Sequence, residues 1–438
     1  MYCCWIAEGM VEGQGEETLV EVAEQYLTEL VSRSMVQVEV TEFPTTTTIR
    51  YNSCWLHGHM RELCLMKCIE EDFLKVVDFQ DKSGEVKFWD PHPIIGSNDT
   101  YRLAIHTDRD VDGDAIVTQE ISEQQLRSFI SINLGQGENW SAEIAWSPKI
   151  FNKFKYLHVL DFQFYSFGDN KILEVIEELI HLRFLRLCNS NMDELPLGIF
   201  NLPFLQSLDL RLDYWNVPTK VPNQNVKWKA KRLRNIFFEN TDARLVDQGK
   251  FRLLGLDQLE KLSNFCSETM EVRDLCKLVT LHYFSATIFG NESLSLVLSC
   301  IEENWPRIRH VEIHIKNCHF TSLQNENGAS NLLRKVFMSR NLHGLSIEGG
   351  LGRGLPNLGS ELAIKQHWLE LIRSEMVEDP LEMLEKLPNL RKLRLLGAFV
   401  GKEMFFHAKG FPNFKHLVLR GLHKLEKLRV NEGAICNL

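Results

Sequence analysis

The chain has 438 residues, of which 44% are hydrophobic and 25% are charged, and its formal net charge is −10. These values are those of a folded soluble protein, and no window approaches the 18 apolar residues of a membrane-spanning helix. Residues 1–43 contain nine glutamates and a single basic residue, Arg33. Nucleic acid and other polyanions are therefore excluded as expected partners of that end of the chain.

The cysteines and the start of the chain indicate a compartment. Eleven cysteines are an odd number without a framework spacing, and the first residues, MYCCWIAEGM, lack the basic and apolar regions of a secretory signal. Both features indicate free thiols in a reducing environment. We therefore expect a cytoplasmic protein.

The first 78 residues predict a small domain of helices and strands. Thr18 and Glu21 form a capping box, and apolar residues recur at helical spacing after it. The predicted elements are that helix, strands at 35–40 and 49–56, and a helix at 59–77. This order is that of the C-terminal part of a winged-helix domain, to which we assign residues 1–78. Winged helices often bind DNA, but this one lacks the basic face that phosphate contacts require.

Two segments of this domain resemble a known family. Trp5–Gly9 and Val22–Ser34 resemble the winged-helix end of the nucleotide-binding module in plant leucine-rich-repeat disease-resistance proteins of the coiled-coil class. His57 and Gly58 stand where that family has its Met-His-Asp motif. The resemblance implies that His57 senses the phosphate of bound ADP, and that the replacement of the aspartate by Gly58 weakens the closed state of an intact receptor.

His57 has a second interpretation, in which it simply begins a helix and contacts no ligand. We favour it for this chain alone, because the glycine-rich loop that cradles a nucleotide phosphate is absent from the sequence. The resemblance implies that this loop and the coiled coil precede Met1 in the family. We therefore expect no cofactor in this chain, whereas the intact family binds ADP or ATP.

Residues 79–100 are irregular and rich in proline, which predicts a linker. Beyond it, the pattern L-x-x-L-x-L occurs at Leu182–Leu187 and again at Leu205–Leu210, 23 residues later. This period is typical of a leucine-rich solenoid, whose units bury their apolar faces only by stacking. Cys436–Leu438 falls partway into a repeat, so we also expect truncation at that end.

Related apolar patterns predict further strands from residue 101 to residue 438. Leu345 and Leu393 are 48 residues apart, too far for one unit, and we expect a degenerate strand near Trp368–Leu371 to fill the interval. The prediction is an α/β chain in which a winged-helix domain precedes an irregular leucine-rich-repeat solenoid. The aligned apolar residues are Leu103, Phe129, Leu160, Leu185, Leu208, Ile236, Leu262, Leu281, Val311, Leu345, Leu393 and Leu417.

The binding surface of such an array is its concave sheet, formed by the residues that flank each buried pair. Phe184 and Phe237 are expected to be exposed there, and aromatic residues are enriched in interface cores. Solvated strand faces often carry similar polar residues without any ligand. The predicted protein-binding residues are Phe184, Arg186, Asp209, Arg211, Phe237, Glu239, Lys392, Arg394 and Arg420.

Three motifs that suggest cofactor chemistry are incomplete. Asp108–Asp114 begins like a calcium loop, but Gln119 stands where a bidentate glutamate is required. Gly397–Glu403 is one residue shorter than a phosphate loop and ends in glutamate instead of serine or threonine. Cys64 and Cys68 lack the second ligand pair of a zinc site. We expect no metal and no catalytic residue, because no nucleophile and base occur in a supporting context.

The resemblance implies a non-enzymatic receptor of plant innate immunity. Its repeats would recognise a pathogen effector, a guarded host protein, or the receptor's own nucleotide-binding module. Nucleic acid and a transmembrane segment are not expected. Two alternatives stay open: the C-terminal part of an ADP/ATP-switched NTPase receptor whose phosphate loop is missing from this chain, and a general leucine-rich-repeat interaction scaffold.

Overall fold

The computed structural model describes residues 1–13, 15, 17–40, 51–78, 87–88, 101–107, 125–133, 151–165, 175–188, 197–211, 228–238, 250–318, 329–358 and 366–434. The chain divides into two compact units, which are described separately. The first comprises Met1–Glu39 and Tyr51–Leu256, and the second comprises Val40–Arg50 and Asp257–Leu438.

The first unit begins with the helices and strands expected for a winged helix. As predicted, a capping box starts the second helix: the Thr18 hydroxyl accepts a hydrogen bond from the Glu21 backbone N–H at 3.2 Å, and the Glu21 carboxylate accepts one from the Thr18 N–H at 2.8 Å. Strands β1 and β2 form a two-stranded sheet. The elements are α1 (Tyr2–Ala7), α2 (Leu19–Ser32), β1 (Gln37–Val40), β2 (Tyr51–Trp55) and α3 (Gly58–Glu70).

The helix predicted to reach residue 77 is shorter than expected. It ends at Glu70, and Asp72 turns the chain with a left-handed φ of 47°. Lys75–Asp78 then forms strand β3, in which two adjacent valines favour extended backbone. Strand β3 pairs antiparallel with β4 (Lys87–Phe88) and parallel with β5 (Arg102–Thr107). The last residues of the range assigned to the winged helix therefore belong to the repeat sheet.

From β5 onward the first unit is a ladder of parallel strands, each paired with the next along the chain. The register aligns the predicted apolar residues Leu103, Phe129, Leu160, Leu185, Leu208 and Ile236, and all six are fully buried. The strands predicted here are confirmed. After β5 they are β6 (Ser128–Asn133), β7 (Val159–Gln163), β8 (Phe184–Cys188), β9 (Ser207–Leu210) and β10 (Asn235–Phe238).

The second unit repeats this plan of parallel strands. Its parallel ladder follows chain order from β11 to β16 and ends at β18. A separate parallel pair joins β17 to β19. The strands are β11 (Lys261–Cys266), β12 (Tyr283–Phe289), β13 (His310–Lys316), β14 (Gly344–Glu348), β15 (Trp368–Ile372), β16 (Lys392–Leu396), β17 (Glu403–Phe406), β18 (His416–Arg420) and β19 (Lys427–Val430).

Helical segments connect the strands of the second unit. Trp305 holds two of them together, because its indole N–H donates to the Leu275 carbonyl and its backbone N–H donates to the Cys300 carbonyl, both at 3.0 Å. The segments are a 3-10 helix at Val272–Lys277, helix α4 (Asn291–Ser299) with a π-helical turn at Cys300–Asn304, α5 (Ala329–Phe337) and α6 (Leu381–Leu384). Within the described residues, every helix is too short or too polar to cross a bilayer.

Two strand predictions in the second unit had different outcomes. The degenerate strand expected near Trp368 is confirmed as β15, whose Leu369 pairs with Leu345 and Leu393. The strand predicted at Leu278 and Leu281 is wrong in position, because the strand starts at residue 283. Phe284 takes the aligned place between β11 and β13, so a phenylalanine hides the leucine pattern in this repeat.

Candidate functional site

The predicted binding residues of the first unit lie in two rows across the parallel sheet. Side chains alternate along a strand, so these rows lie on the side opposite the aligned leucines, which we call the binding face. The register places Val159, Phe184, Ser207 and Asn235 in one row and Asp161, Arg186, Asp209 and Phe237 in the next. These residues therefore share one side of the sheet, and their role in binding a partner stays a prediction.

An ion network crosses three strands of this face. Arg186 donates from Nη1 to Asp161 Oδ2 at 3.1 Å and from Nε to Asp209 Oδ2 at 3.2 Å. Arg211 adds a two-point contact to Asp209, with Nη2–Oδ2 at 2.6 Å and Nε–Oδ1 at 2.8 Å. The two aspartate side chains are 6% and 3% exposed. The face thus offers a partner a fixed arrangement of charges that already neutralise each other.

Burial and charge act differently on the two aspartates. Burial raises the pKa of Asp161, and the attraction of Arg186 offsets only part of this effect. Burial also raises the pKa of Asp209, but hydrogen bonds from Arg211 and the charge of Arg186 outweigh it, so this pKa lies below its ordinary value. Arg186 itself has a raised pKa: burial lowers it, and the two carboxylates more than compensate. The environment therefore favours the charged forms of Asp209 and Arg186 and disfavours that of Asp161.

Helix α1 covers part of the binding face. Cys3 and Ala7, one helical turn apart, pack with Val159 and Phe184 in a single apolar cluster, and Phe237 lies partly buried at its margin. The expected exposure of Phe184 is wrong, since its side chain is only 1% exposed. Burying an aromatic ring on a strand face against apolar groups is favourable, and here helix α1 of the same chain buries it.

Polar contacts fix α1 in place. Arg183 donates from Nη1 to the Ala7 carbonyl at 3.2 Å. Arg102 pairs with Glu8 through Nη2 and Oε2 at 2.7 Å, and the Glu8 side chain is 4% exposed. The guanidinium of Arg102 also lies 4.4 Å from the centre of the Phe73 ring. These partners are 94 and 176 residues apart from α1 in sequence, so nothing in the local pattern indicated them.

The predicted residues of the second unit lie at the last strands of its ladder. Register places Lys392 beside His416 and Leu396 beside Arg420. Arg394 forms an ion pair with Glu370, which also accepts a hydrogen bond from the Ser346 hydroxyl at 3.0 Å. Burial raises the pKa of Glu370 and lowers that of Lys392. Arg420 is exposed.

Trp368 is a large residue of the same face that sequence reasoning did not assign to it. Its side chain is 1% exposed and lies over Gly344 of the neighbouring strand. A Cβ at Gly344 would lie 2.7 Å from Trp368 Cε3 and 2.9 Å from His310 Nδ1. The sequence signal for this position of Trp368 is a glycine opposite a tryptophan on neighbouring strands. The signal can be recognised only after the two strands have been aligned.

His57 and Gly58 begin helix α3, a position that fits both interpretations of His57. His57 is the exposed N-cap residue, without a side-chain capping hydrogen bond, and its ring lies 5.7 Å from that of His59. Among the described residues, a Cβ on Gly58 would meet nothing within 4 Å. The position therefore has room for the first side-chain atom of the aspartate in the family motif.

The remaining residues of the sequence analysis are Glu239 and the incomplete motifs. Glu239, Asp108–Asp114 and Gln119 lie outside the described residues. Gly397–Lys402 forms the loop between β16 and β17, and Glu403 is the first residue of β17. In this loop the Gly397 N–H donates to the Arg420 carbonyl at 2.8 Å. Where side chains are described, no group of three His, Cys, Asp or Glu residues has the arrangement of a metal site.

Comparisons with known proteins match both parts of the chain. Residues 125–438 match the family model described as a leucine-rich repeat region, and residues 1–64 match that of the disease resistance protein winged-helix domain. A putative disease resistance protein of Arabidopsis thaliana is 29% identical over 98% of this chain and 44% of its own length. The probable disease resistance protein RXW24L of the same plant is 28% identical over 99% of this chain and 44% of its length.

The chain therefore spans less than half the length of these curated relatives. Among solved structures, the leucine-rich-repeat ectodomain of the Arabidopsis thaliana membrane receptor kinase GASSHO1/SCHENGEN3 gives a TM-score of 0.44 at 14% identity. The match covers 73% of this chain and 36% of that one.

Proposed function

The chain belongs to the leucine-rich-repeat disease-resistance family, and from this premise we propose that it is the recognition part of a plant immune receptor. Its repeats bind a protein partner, either a pathogen effector or a guarded host protein, and the winged helix regulates that binding. The chain acts without catalysing a reaction and works in the cytoplasm. Disease-resistance relatives that match 98% of the chain or more support this role.

The observation that carries the mechanism is the position of α1 on the binding face. Val159 and Phe184 lie under Cys3 and Ala7, so a partner that uses these apolar side chains must first displace the helix. Recognition at the repeats and the position of the winged helix are then linked equilibria, because the partner and α1 compete for one surface. The ion network of Arg186 stays in place as a prearranged part of that surface.

Both units contribute residues that contact the partner in this proposal. In the first unit, the partner is contacted by Phe184, Arg186, Asp209, Arg211 and Phe237. Glu239, which lies outside the described residues, is assigned to the same contact. Lys392, Arg394 and Arg420 extend the contact in the second unit. We assign residues 1–78 to the winged helix, 79–100 to a linker and 101–438 to the repeats, with β3 as the strand that joins the first to the last.

Proximity labelling in leaf cells tests the proposal. The intact chain carries a labelling enzyme and is expressed in infected and uninfected tissue, beside an Asp209→Arg variant whose folding is checked by circular dichroism. The expected result is a pathogen or host protein that the wild type labels and the variant does not. Identical labelling by both chains would overturn the assignment of the binding face.

A second candidate function rests on His57. Its exposed position at the start of α3 leaves it accessible to a nucleotide held by another module, as in an ADP/ATP-switched receptor. Calorimetric titration with ADP, on this chain fused behind an intact nucleotide-binding module, separates the two candidates. Weaker binding in a His57→Ala variant of the fusion would favour the switched receptor, and equal binding by both would contradict a role of His57 at the nucleotide.

A further inference from the structure

One edge of the repeat sheet in the first unit differs in charge from the rest of the chain. The described segments that lead into β7, β8, β9 and β10 are residues 151–158, 175–183, 197–206 and 228–234. Together they contain seven lysines and arginines and two glutamates, Glu177 and Glu178, whereas the whole chain carries a net charge of −10. All parallel strands begin at the same side of a sheet, so these segments meet along one edge.

Aromatic side chains stack along this edge. Tyr156, His181 and Phe204 each stand four residues before an aligned leucine, one per repeat. The ring centres of Tyr156 and His181 are 5.9 Å apart with 24° between the planes, and those of His181 and Phe204 are 5.8 Å apart with 18°. The guanidinium of Arg232 closes the stack 4.7 Å from the Phe204 ring centre.

Positive charge dominates around the stack. Lys155, Lys229 and Lys231 are exposed and have no ion pair within the described residues. Nearby, burial and the positive groups of Arg183, Arg127 and His181 lower the pKa of His158 to about 4. We call the set formed by Lys155, Tyr156, His181, Phe204, Lys229, Lys231 and Arg232 the basic edge.

The stacking decides which anion the basic edge fits. Both faces of His181 and both faces of Phe204 are covered by their neighbours, so these rings present their edges, which carry partial positive charge. Tyr156 is 57% exposed, and among the described residues only one of its faces has a stacked neighbour. Single-stranded nucleic acid needs a series of open ring faces for its bases, whereas carboxylates and apolar side chains fit ring edges and lysines.

We propose that the basic edge binds an acidic segment of a partner protein, as a second interaction surface separate from the binding face under α1. Aromatic residues and arginine form the core of such an interface, and the surrounding lysines steer the acidic partner towards it. The surface remains accessible when α1 occupies the binding face. A partner can therefore be held at the basic edge before recognition on the binding face begins.

Fluorescence anisotropy with the full chain tests this proposal. The probe is a fluorescein-labelled peptide of repeated Glu-Leu-Asp units, and its binding is expected to weaken as salt is added. The Lys155→Glu/Lys231→Glu variant should lose affinity by at least about tenfold, which corresponds to the removal of two favourable charges and their replacement by repulsive ones. Tyr156→Ala, which keeps all charges, should weaken binding as well.

The matched control is Lys409→Glu/Lys424→Glu, which reverses two lysines of the second unit that are also exposed and unpaired within the described residues. It should bind like the wild type. If both double variants lost the same affinity for the peptide, the effect would come from the net charge of the chain alone, and the proposal would be overturned. Tighter binding of an oligothymidylate of equal charge, or sedimentation that shows the basic edge mediating self-association, would overturn it as well. The peptide assay does not involve the binding face, so its failure leaves the leaf-labelling test unaffected.

Discussion

Arg186 connects three strands through two buried carboxylates. Its contribution to the stability of the fold depends on which partners these carboxylates keep when Arg186 is removed. The Arg186 side chain is 17% exposed and its partners Asp161 and Asp209 are 6% and 3% exposed. Water therefore screens this network far less than a surface ion pair. Asp209 would keep Arg211. Within the described residues, Asp161 would retain a hydrogen bond from the side-chain amide of Gln163 and the weaker attraction of the Met1 ammonium.

We expect Arg186→Leu to lower the free energy of unfolding by about 3 kcal/mol, because it leaves a buried carboxylate without its cation. Urea denaturation measures the loss. The double variant Arg186→Leu/Asp161→Leu should recover most of it, since the stranded charge is then gone. A loss in the single variant no larger than that of an exposed ion pair, below about 1 kcal/mol, would contradict this account.

Asp209 should make stability depend on acid. Its folded pKa lies below its unfolded value, so the carboxylate stabilises the fold above the unfolded pKa of about 3.9. This contribution is lost as the pH falls from there through the folded pKa. In Asp209→Asn, stability should fall less steeply over that acidic interval, although it is lower at neutral pH. Denaturation curves at several acidic pH values would show parallel slopes if Asp209 had no such role.

Secondary-structure elements were predictable where a repeat kept its own pattern. The strands that contain Leu160, Leu185 and Leu208 follow from spacing alone, because inward side chains recur with the pleat. In β12 the pattern failed, since Phe284 replaces the aligned leucine and two leucines precede it in the turn. The position of α1 could not be predicted from the sequence, because it depends on contacts between segments about 180 residues apart.

A charge placed under α1 should release it from the binding face. Ala7 is 1% exposed against Val159 and Phe184, so Ala7→Arg would bury an unpaired cation unless the helix moves. Cys4 of the same helix, whose pKa burial raises to about 11, should then react with maleimide at least about tenfold faster, the factor that 1.4 kcal/mol gives.

Mass spectrometry locates the modified cysteine, and Thr28→Arg on the exposed side of α2 is the control. The control should react at the wild-type rate. If Cys4 reacts equally slowly in Ala7→Arg, then α1 stays in place and the proposed competition between α1 and a partner is wrong.

At the scale of the whole molecule, each repeat depends mainly on its two neighbours. The parallel ladders follow chain order, so damage to one strand should spread to adjacent strands and weaken with distance. The family and the order of the strands could be predicted from the sequence because each repeat carries its own apolar pattern. The side-chain contacts between repeats could not be predicted, because each contact depends on the register of two neighbouring strands.

Trp368→Ala tests this local dependence. Removing a side chain that is 1% exposed should cost about 3–5 kcal/mol locally. Hydrogen exchange should accelerate in β14, β15 and β16, while β6, β7 and β8 keep wild-type protection. The substitution Val377→Ala, at a side chain that is 57% exposed, serves as the control. Uniform acceleration along both units would show that the array opens as one cooperative body.

The close approach of Trp368 to Gly344 also restricts how such an array can change over generations. A methyl group on Gly344 would lie 2.7 Å from the indole, so a larger residue at one position demands a smaller one at the other. Recombination that exchanges single repeats between related genes would separate the two halves of this fit. Strands β14 and β15 are therefore expected to be inherited together, as one indivisible module within an otherwise interchangeable series.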